Sequence, residues 1–486
     1  MDSLAPNPAI LAVFVLVLYV AVTIYITLFQ NPLASIPGPN SFALTKWRLA
    51  YEDYRGTRTR YMHTLHKKYG DAVRIGPHEV SFNSLSALRS IYGAGTVFQR
   101  DAFYRMFDAY GRQVMFSFAS SKHHRDRKKL LNHAYSKTAV LSLRNALMVQ
   151  DKVQQFLDLI EREGDKSGTR EIFAALHYFS LDTITRFLYG NSTHSSSGAT
   201  TALVSPQDRT LLHDILDPDR RKLSWFTIHF PALINWLYSR TGIVERALTR
   251  LDVLPMRKPA TYTGIRAHAL RAAEKIHQFA SSGAKRLDAS ESIAERLLLA
   301  ASAETAKKGG GGGGPAMDHL DVAAECADHL LAGIDTTSDT LMWAIFALSQ
   351  PENAIFQEKL RAELLEAVQQ QLAAEEEDGI SISALAADKL PYLDAVIKET
   401  LRLFAPLPGT EPRVAETDQV VDGYRIPRGT VVSISPYTLH RTAAVFREPE
   451  QFNPDRWVSS SAEEVAEMKR WFWAFSSGGR MCIGMQ

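Results

Sequence analysis

A mainly α-helical body with small peripheral β-sheets, carried behind an N-terminal transmembrane helix, is the fold class that this sequence predicts. Three observations predict it. An uncharged apolar run, AILAVFVLVLYVAVTIYITLF, occupies the 21 residues from Ala9 to Phe29. Stretches with apolar residues three and four apart follow at intervals, among them VQQFLDLIERE, LRAELLEAVQQQL and YLDAVIKETLRLF. Alternating, strand-like stretches are few and short.

At ~1.5 Å per residue the apolar run is long enough to cross a hydrocarbon core of ~30 Å. No Lys or Arg precedes it, whereas Lys46, Arg48, Arg55, Arg58 and Arg60 follow, so the positive-inside rule leaves the body cytosolic. The run is longer than the apolar part of a cleaved signal and lacks its basic start, which reads as an uncleaved single-pass anchor in residues 1–35 of a protein of internal membranes such as the endoplasmic reticulum. Pro37 and Pro39 in IPGPN stiffen the chain and cannot continue a helix, a hinge before a body at residues 36–486. AVRIGPHEVSF reads as a hairpin around Gly76 and Pro77. QVVDGYRIPRGTVVSISP reads as two strands with turns at Asp422-Gly423 and Pro427 to Gly429. The glycines Gly309 to Gly314 read as a surface linker, since no Lys-Ser or Lys-Thr follows to make a phosphate cradle. From Asp318 to Gln350 the pattern is apolar around most of its circumference, which predicts a central, buried helix.

Composition limits the partners. With 486 residues, 45% hydrophobic and 22% charged, the chain is globular, and a net charge of +2 gives no general pull toward nucleic acid. Two cysteines, Cys326 and Cys482, are too few for a disulfide framework and fit a reducing compartment. Cys326, inside the central helix, reads as a small buried hydrophobe.

Two stretches carry chemistry. In AGIDTT, Ala332 to Thr337, helix propensity favours none of Gly333, Asp335, Thr336 and Thr337. Glycine permits close helix packing and threonine back-bonds to the preceding turn. Four departures together also fit a widened turn beside a ligand, where Asp335 and Thr336 would deliver protons. At the other stretch, FSSGGRMCIGMQ, Cys482 offers a thiolate, the soft donor that as a single axial ligand on haem iron favours O–O cleavage. Gly478 and Gly484 allow a tight turn and a close backbone approach to a porphyrin, Arg480 suits a propionate, and Phe475 would pack on the ring.

Phe475-x-x-Gly478-x-Arg480-x-Cys482-x-Gly484 resembles the haem-binding signature of the cytochrome P-450 family at every position. Glu399 and Arg402 resemble that family's Glu-x-x-Arg helix, and Arg456 in EQFNPDRW its third member of a buried ionic triad, where otherwise an ordinary surface pair would be expected. The resemblance implies the α-rich fold, Cys482 as haem-iron ligand, haem b as cofactor and dioxygen as cosubstrate. It implies that Asp335 and Thr336 relay protons, with Ala332 and Gly333 leaving room above the haem. His124 and Lys128 stand where the family has Trp-x-x-x-Arg and would hold a propionate with Arg413. Phe116, in the aromatic stretch Phe103 to Phe118, together with Leu407 and Pro408, would line the substrate pocket, although aromatic density is also plain core.

The implied activity is insertion of one oxygen atom into a lipophilic small molecule, with electrons from an NADPH-cytochrome reductase. The C-terminal third resembles fungal members that tailor secondary metabolites. The basic stretch Lys122 to Lys129, with Lys469 and Arg470, reads either as a solvated face or as the docking patch for that reductase. A reductase-independent haem-thiolate isomerase or dehydratase is the alternative, against which Asp335 and Thr336 argue. Only Ile483 to Gln486 follow Cys482, where the family continues into a helix and strands. This gives the further expectation of a truncated, haem-deficient, non-enzymatic homologue.

Overall fold

The computed structural model describes residues 8–164, 169–190, 198–213, 215–216, 220–233, 247, 250–251, 264–281, 292–308, 317–373 and 384–485. The glycine run 309–314 lies outside them. The chain divides into two compact units, one of Met1–Asp101, Pro408–Thr442 and Ser477–Arg480, the other of Ala102–Leu407, Ala443–Ser476 and Met481–Gln486.

In the first unit the apolar run forms a helix, Pro8–Tyr25, that continues through a π-helical turn, Ile26–Gln30. A mixed sheet follows, in the order β1 (Ala72–Gly76), β2 (Glu79–Phe82), β7 (Val431–Ile434), β4 (Arg413–Ala415), β3 (Phe98–Arg100). β1 and β2 form the expected antiparallel hairpin, with Ala72 opposite Phe82. β2 runs parallel to β7, and β7 is antiparallel to β4, which pairs with β3. Val73 and Ile75 of β1 pack with Phe42, Leu49, Met62 and Leu65 in this unit's core. A second hairpin joins β5 (Gln419–Val421) to β6 (Tyr424–Ile426) through Asp422 and Gly423, both at positive φ as a type I′ turn demands. Residues 419–436 therefore hold three strands where the sequence pattern suggested two.

The segment read as a hinge is instead tied to β1. The Arg74 N–H donates to the Pro37 carbonyl at 2.8 Å, and its guanidinium donates to the carbonyls of Thr27 and Pro77, each at 3.1 Å. A Cβ on Gly38 would lie 2.5 Å from the Arg74 carbonyl oxygen, so only glycine lets the two backbones come this close. Leu33 and Ile36 are buried. The prolines stiffen the segment, but main-chain bonding and burial decide where it lies.

The second unit is built on helices, chiefly Leu143–Arg162, Phe173–Tyr189, Gly264–Ser281, Ile293–Lys308, His319–Leu348, Ala354–Ala373 and Pro391–Leu403. The central one, His319–Leu348, is opened by a capping box in which Asp318 and Asp321 each accept the other's backbone N–H. Its Val322, Cys326, Leu330 and Ile334 enter the main core with Leu181 and Leu188 of the 173–189 helix and Ile265 and Ala272 of the 264–281 helix. Cys326 is a buried free thiol, as its apolar surroundings require.

Candidate functional site

Cys482 is exposed, on a loop closed by its own N–H, which donates to the Phe475 carbonyl at 2.9 Å. Its neighbours fix the loop from both sides. The carbonyl of Met481 accepts from Lys128 Nζ at 2.8 Å, and the side chain of Ile483 packs against the main core. Lys128 lies on the helix Ser121–Leu131, where Ser120 caps the first turn and His124, one turn earlier on the same face, is buried. A Cβ on Gly484 would sit 3.9 Å from the Cys482 sulfur.

Of the five basic residues in the stretch Lys122 to Lys129, Arg127 and Lys128 turn inward. Lys122 pairs with Asp126 at 3.1 Å, and Arg125 and Lys129 stay exposed. Arg470, grouped with them on sequence, pairs with Glu467 at 2.7 Å.

The central helix is α-helical through AGIDTT, with no widened turn. Thr336 Oγ1 donates to the Ala332 carbonyl at 2.7 Å, and Ser338 and Thr340 bond in the same way one turn back. These hydroxyls are satisfied along the helix, which removes the need to open it. Ala332, Asp335 and Thr336 share one face. Gly333 faces elsewhere: a Cβ there would lie 2.7 Å from Ile184 Cγ1, so the glycine lets the 173–189 helix approach and leaves no open space. Phe116 makes edge-on contacts with Tyr104 and Phe107, centroids 5.3 and 4.9 Å away, and packs against a cluster of Ala109, Val114, Ala269 and, from the central helix, Ala324 and Ala327. Leu407 is exposed, and the Pro408 carbonyl accepts from Ser435 Oγ at 2.8 Å.

In the first unit Arg413 is buried on β4, paired with Glu411 at 3.2 Å and stacked 4.8 Å over the Tyr92 ring. The Tyr92 hydroxyl donates to the Glu411 carbonyl and accepts from the Ile434 N–H at 3.0 Å. The 3-10 turn Gly478–Arg480 rests on the same residue: Gly478 has φ 62°, and a Cβ there would meet the Tyr92 carbonyl oxygen at 2.3 Å. Arg480 is half-buried on that turn. Tyr92 thus organises both Arg413 and the glycine turn, a role that nothing local in the sequence announces.

Glu399, Arg402 and Arg456 meet in a buried cluster of the second unit. Arg402 binds Glu399 through two bonds of 2.8 and 2.9 Å, Arg456 Nε adds one of 3.0 Å, and Trp457 Nε1 donates to Glu399 at 3.0 Å. The remaining guanidinium N–H groups reach carbonyls of Arg447, Pro449 and Gln451. Every charge in this cluster is met by a partner.

The family model described as cytochrome P-450 matches residues 37–486, nearly the whole body. The chain belongs to the cytochrome P-450 family. Among its relatives, the cytochrome P-450 monooxygenase hkm5 of Aspergillus hancockii is 30% identical over 481 residues, covering 97% of this chain and 85% of that protein. The cytochrome P-450 monooxygenase orf2 of Aspergillus niger is 27% identical, covering 100% of this chain and 89% of that protein. The cytochrome P-450 monooxygenase cypX of Dothistroma septosporum is 28% identical, covering 99% and 86%. A P-450-type enzyme with a haem cofactor and dioxygen as cosubstrate follows from this membership.

The residues of this P-450 chain fit a haem by donor chemistry. One exposed thiol stands beside a glycine that presents no side chain to it, and cationic residues suited to propionates flank the motif in sequence and on the 121–131 helix. Sequence reasoning passed over the polar residues one turn apart in the central helix, Glu325 and His329, and their pairing with Arg127 and Tyr135. The available signal was a Glu and a His at i and i+4 inside a helix already expected to be buried, where a charge demands a partner.

Proposed function

We propose that this chain is a membrane-anchored monooxygenase that acts on a lipophilic small molecule in secondary-metabolite tailoring, with electrons from an NADPH-dependent reductase and its body on the cytosolic side of the endoplasmic reticulum. The observation that carries the reading is the Cys482 loop, held between the Lys128 bond to Met481 and the core-packed Ile483. When bound, the haem supplies oxygen activation, which a thiolate ligand promotes. Cys482 would be that ligand, kept in place by its N–H bond to Phe475. His124, Lys128, Arg413 and Arg480 would hold the propionates, and Gly478 and Gly484 would let the backbone approach. Asp335 and Thr336, both half-buried on the central helix, would hold and pass protons. Because the Thr336 proton rests on the Ala332 carbonyl, the hydroxyl must turn about its Cβ–Oγ1 bond before it can donate elsewhere. Phe116, Leu407 and Pro408 would bound the substrate.

The test is spectral first and chemical second. The reduced full chain is expected to give the red-shifted carbon monoxide band of a thiolate-ligated haem, and Cys482→Ser to abolish it. Absence of the band in the parent would sink the reading. Turnover is then compared with and without NADPH and reductase. Product formed without either would favour the isomerase or dehydratase alternative.

A further inference from the structure

The carboxylate of Glu325 joins three parts of the second unit that are far apart in the chain. It accepts the backbone N–H of Met115 at 3.0 Å through Oε1 and 3.3 Å through Oε2, and receives Arg127 Nη1 of the 121–131 helix at 2.5 Å. It is fully buried. On its own helix His329 Nε2 stands 3.6 Å from Oε1, and the other ring nitrogen of His329 bonds the Tyr135 hydroxyl at 2.5 Å. Arg127 also lies 5.5 Å over the ring of Phe118. The residues between are a tight turn, in which the Ser117 N–H donates to the Val114 carbonyl at 2.9 Å and the Val114 N–H donates to Ser117 Oγ at 3.0 Å. The side chain of Met115 enters the main core on one side of this turn, and Phe116 meets the central helix on the other. Ligand atoms of Glu325, Asp328 and His329 lie within 4.8 Å of one another, but the guanidinium of Arg127 already supplies the positive charge there, so the set is a clasp rather than a cation site.

We infer that Glu325 is a positioning residue: its bond to the Met115 N–H pins the turn Val114–Phe118 to the central helix and so fixes the aromatic wall presented by Phe116. The wall's part in ligand binding rests on the monooxygenase reading; the tether itself does not. Beside it, Arg112 reaches Asp318 at 2.5 Å and Asp321 at 3.8 Å, ties that are partly exposed and correspondingly weak. Of these ties the buried bond to Met115 is the strongest.

Hydrogen exchange of the full chain, read on peptides covering residues 112–120, tests the tether without any ligand. Glu325→Ala is expected to raise exchange there about tenfold, the weight of one hydrogen bond to a buried charged group. Glu325→Gln keeps an acceptor for Met115 and is expected to stay within about threefold of the parent. Should the alanine variant not fold, Glu325→Leu with Arg127→Leu removes both charges together, a change that buried pairs tolerate, and it too lacks the acceptor. Unchanged local exchange in the folded variants, Gln behaving like Ala, or a rise spread equally over the 173–189 helix would each overturn the tether. In the haem-loaded protein, clotrimazole and imidazole titrated by absorbance report the wall: clotrimazole affinity should fall about tenfold in Glu325→Ala and imidazole affinity should hold. Equal losses for both ligands would overturn the wall. A parent that binds neither azole counts against the haem reading and leaves the exchange result standing.

Discussion

Arg402 has no contact with water, and its charge is met by Glu399 and two backbone carbonyls. Arg402→Ala leaves a buried carboxylate with one cation fewer and is expected to cost about 3–5 kcal/mol, the range for breaking a buried pair from one side. The check is denaturant unfolding of the purified variant. Arg402→Lys should fail to restore stability, since one ammonium cannot make the forked pair of bonds and also reach two carbonyls; a lysine variant as stable as the parent refutes that account. Glu325 makes a pH prediction. Burial by itself would raise its carboxyl, but the neighbouring His329 imidazole and the charge of Arg127 outweigh it and hold the group below its ordinary value of 4.5. A carboxyl depressed in the folded state contributes stability that is fully present above the ordinary value and is lost as pH falls through the folded one. The parent and Glu325→Gln should therefore differ in unfolding free energy near neutrality and converge below pH 4.5. A gap that stays constant across that window contradicts the assignment.

Among the elements, the central helix shows how a glycine is read. Gly333 breaks helix propensity, and its cause lies on a different helix, where Ile184 fills the space of the missing side chain. Gly333→Ala is expected to cost about 1–3 kcal/mol by overpacking, and Ile184→Ala in the same chain should recover part of it. A double-mutant cycle measures the coupling, and additive effects would place the Gly333 constraint elsewhere. The same contrast explains what the sequence disclosed. The thirty-residue helix repeats its apolar pattern over many turns and was legible; β3 and β4, three residues each, were not. The cysteine motif is contiguous, and of its members Phe475 is bonded to Cys482 through the main chain while Gly484 stands beside the sulfur. Tyr92 and Glu325 were missed because their partners are remote: Tyr92 meets Ile434 across 342 positions, and Glu325 meets Met115 across 210. Short-range pattern carries no trace of such pairs, except as a buried charge awaiting an explanation.

On the scale of the whole molecule, the apolar helix Ala9–Gln30 is long and apolar enough to cross a membrane, and the chain beyond it is bonded to the first unit's sheet. These two roles separate at Thr27, whose carbonyl accepts from Arg74. Removing residues 1–26 deletes most of the span and keeps Thr27, Leu33, Ile36 and the Pro37 bond. That form is expected to move from the membrane pellet to the supernatant with unchanged unfolding free energy. Removing residues 1–38 also strips Leu33 and Ile36, which are 1% and 4% exposed, and leaves the Arg74 N–H without its carbonyl. Each buried aliphatic side chain contributes about 1.5–3 kcal/mol, so the longer deletion should lower stability by roughly 3–6 kcal/mol. Pelleting after membrane fractionation and urea unfolding of both forms give the comparison. Equal stability of the two would mean that the segment is a free hinge after all. Retention of the shorter deletion on membranes would mean that a surface outside the apolar helix holds the lipid.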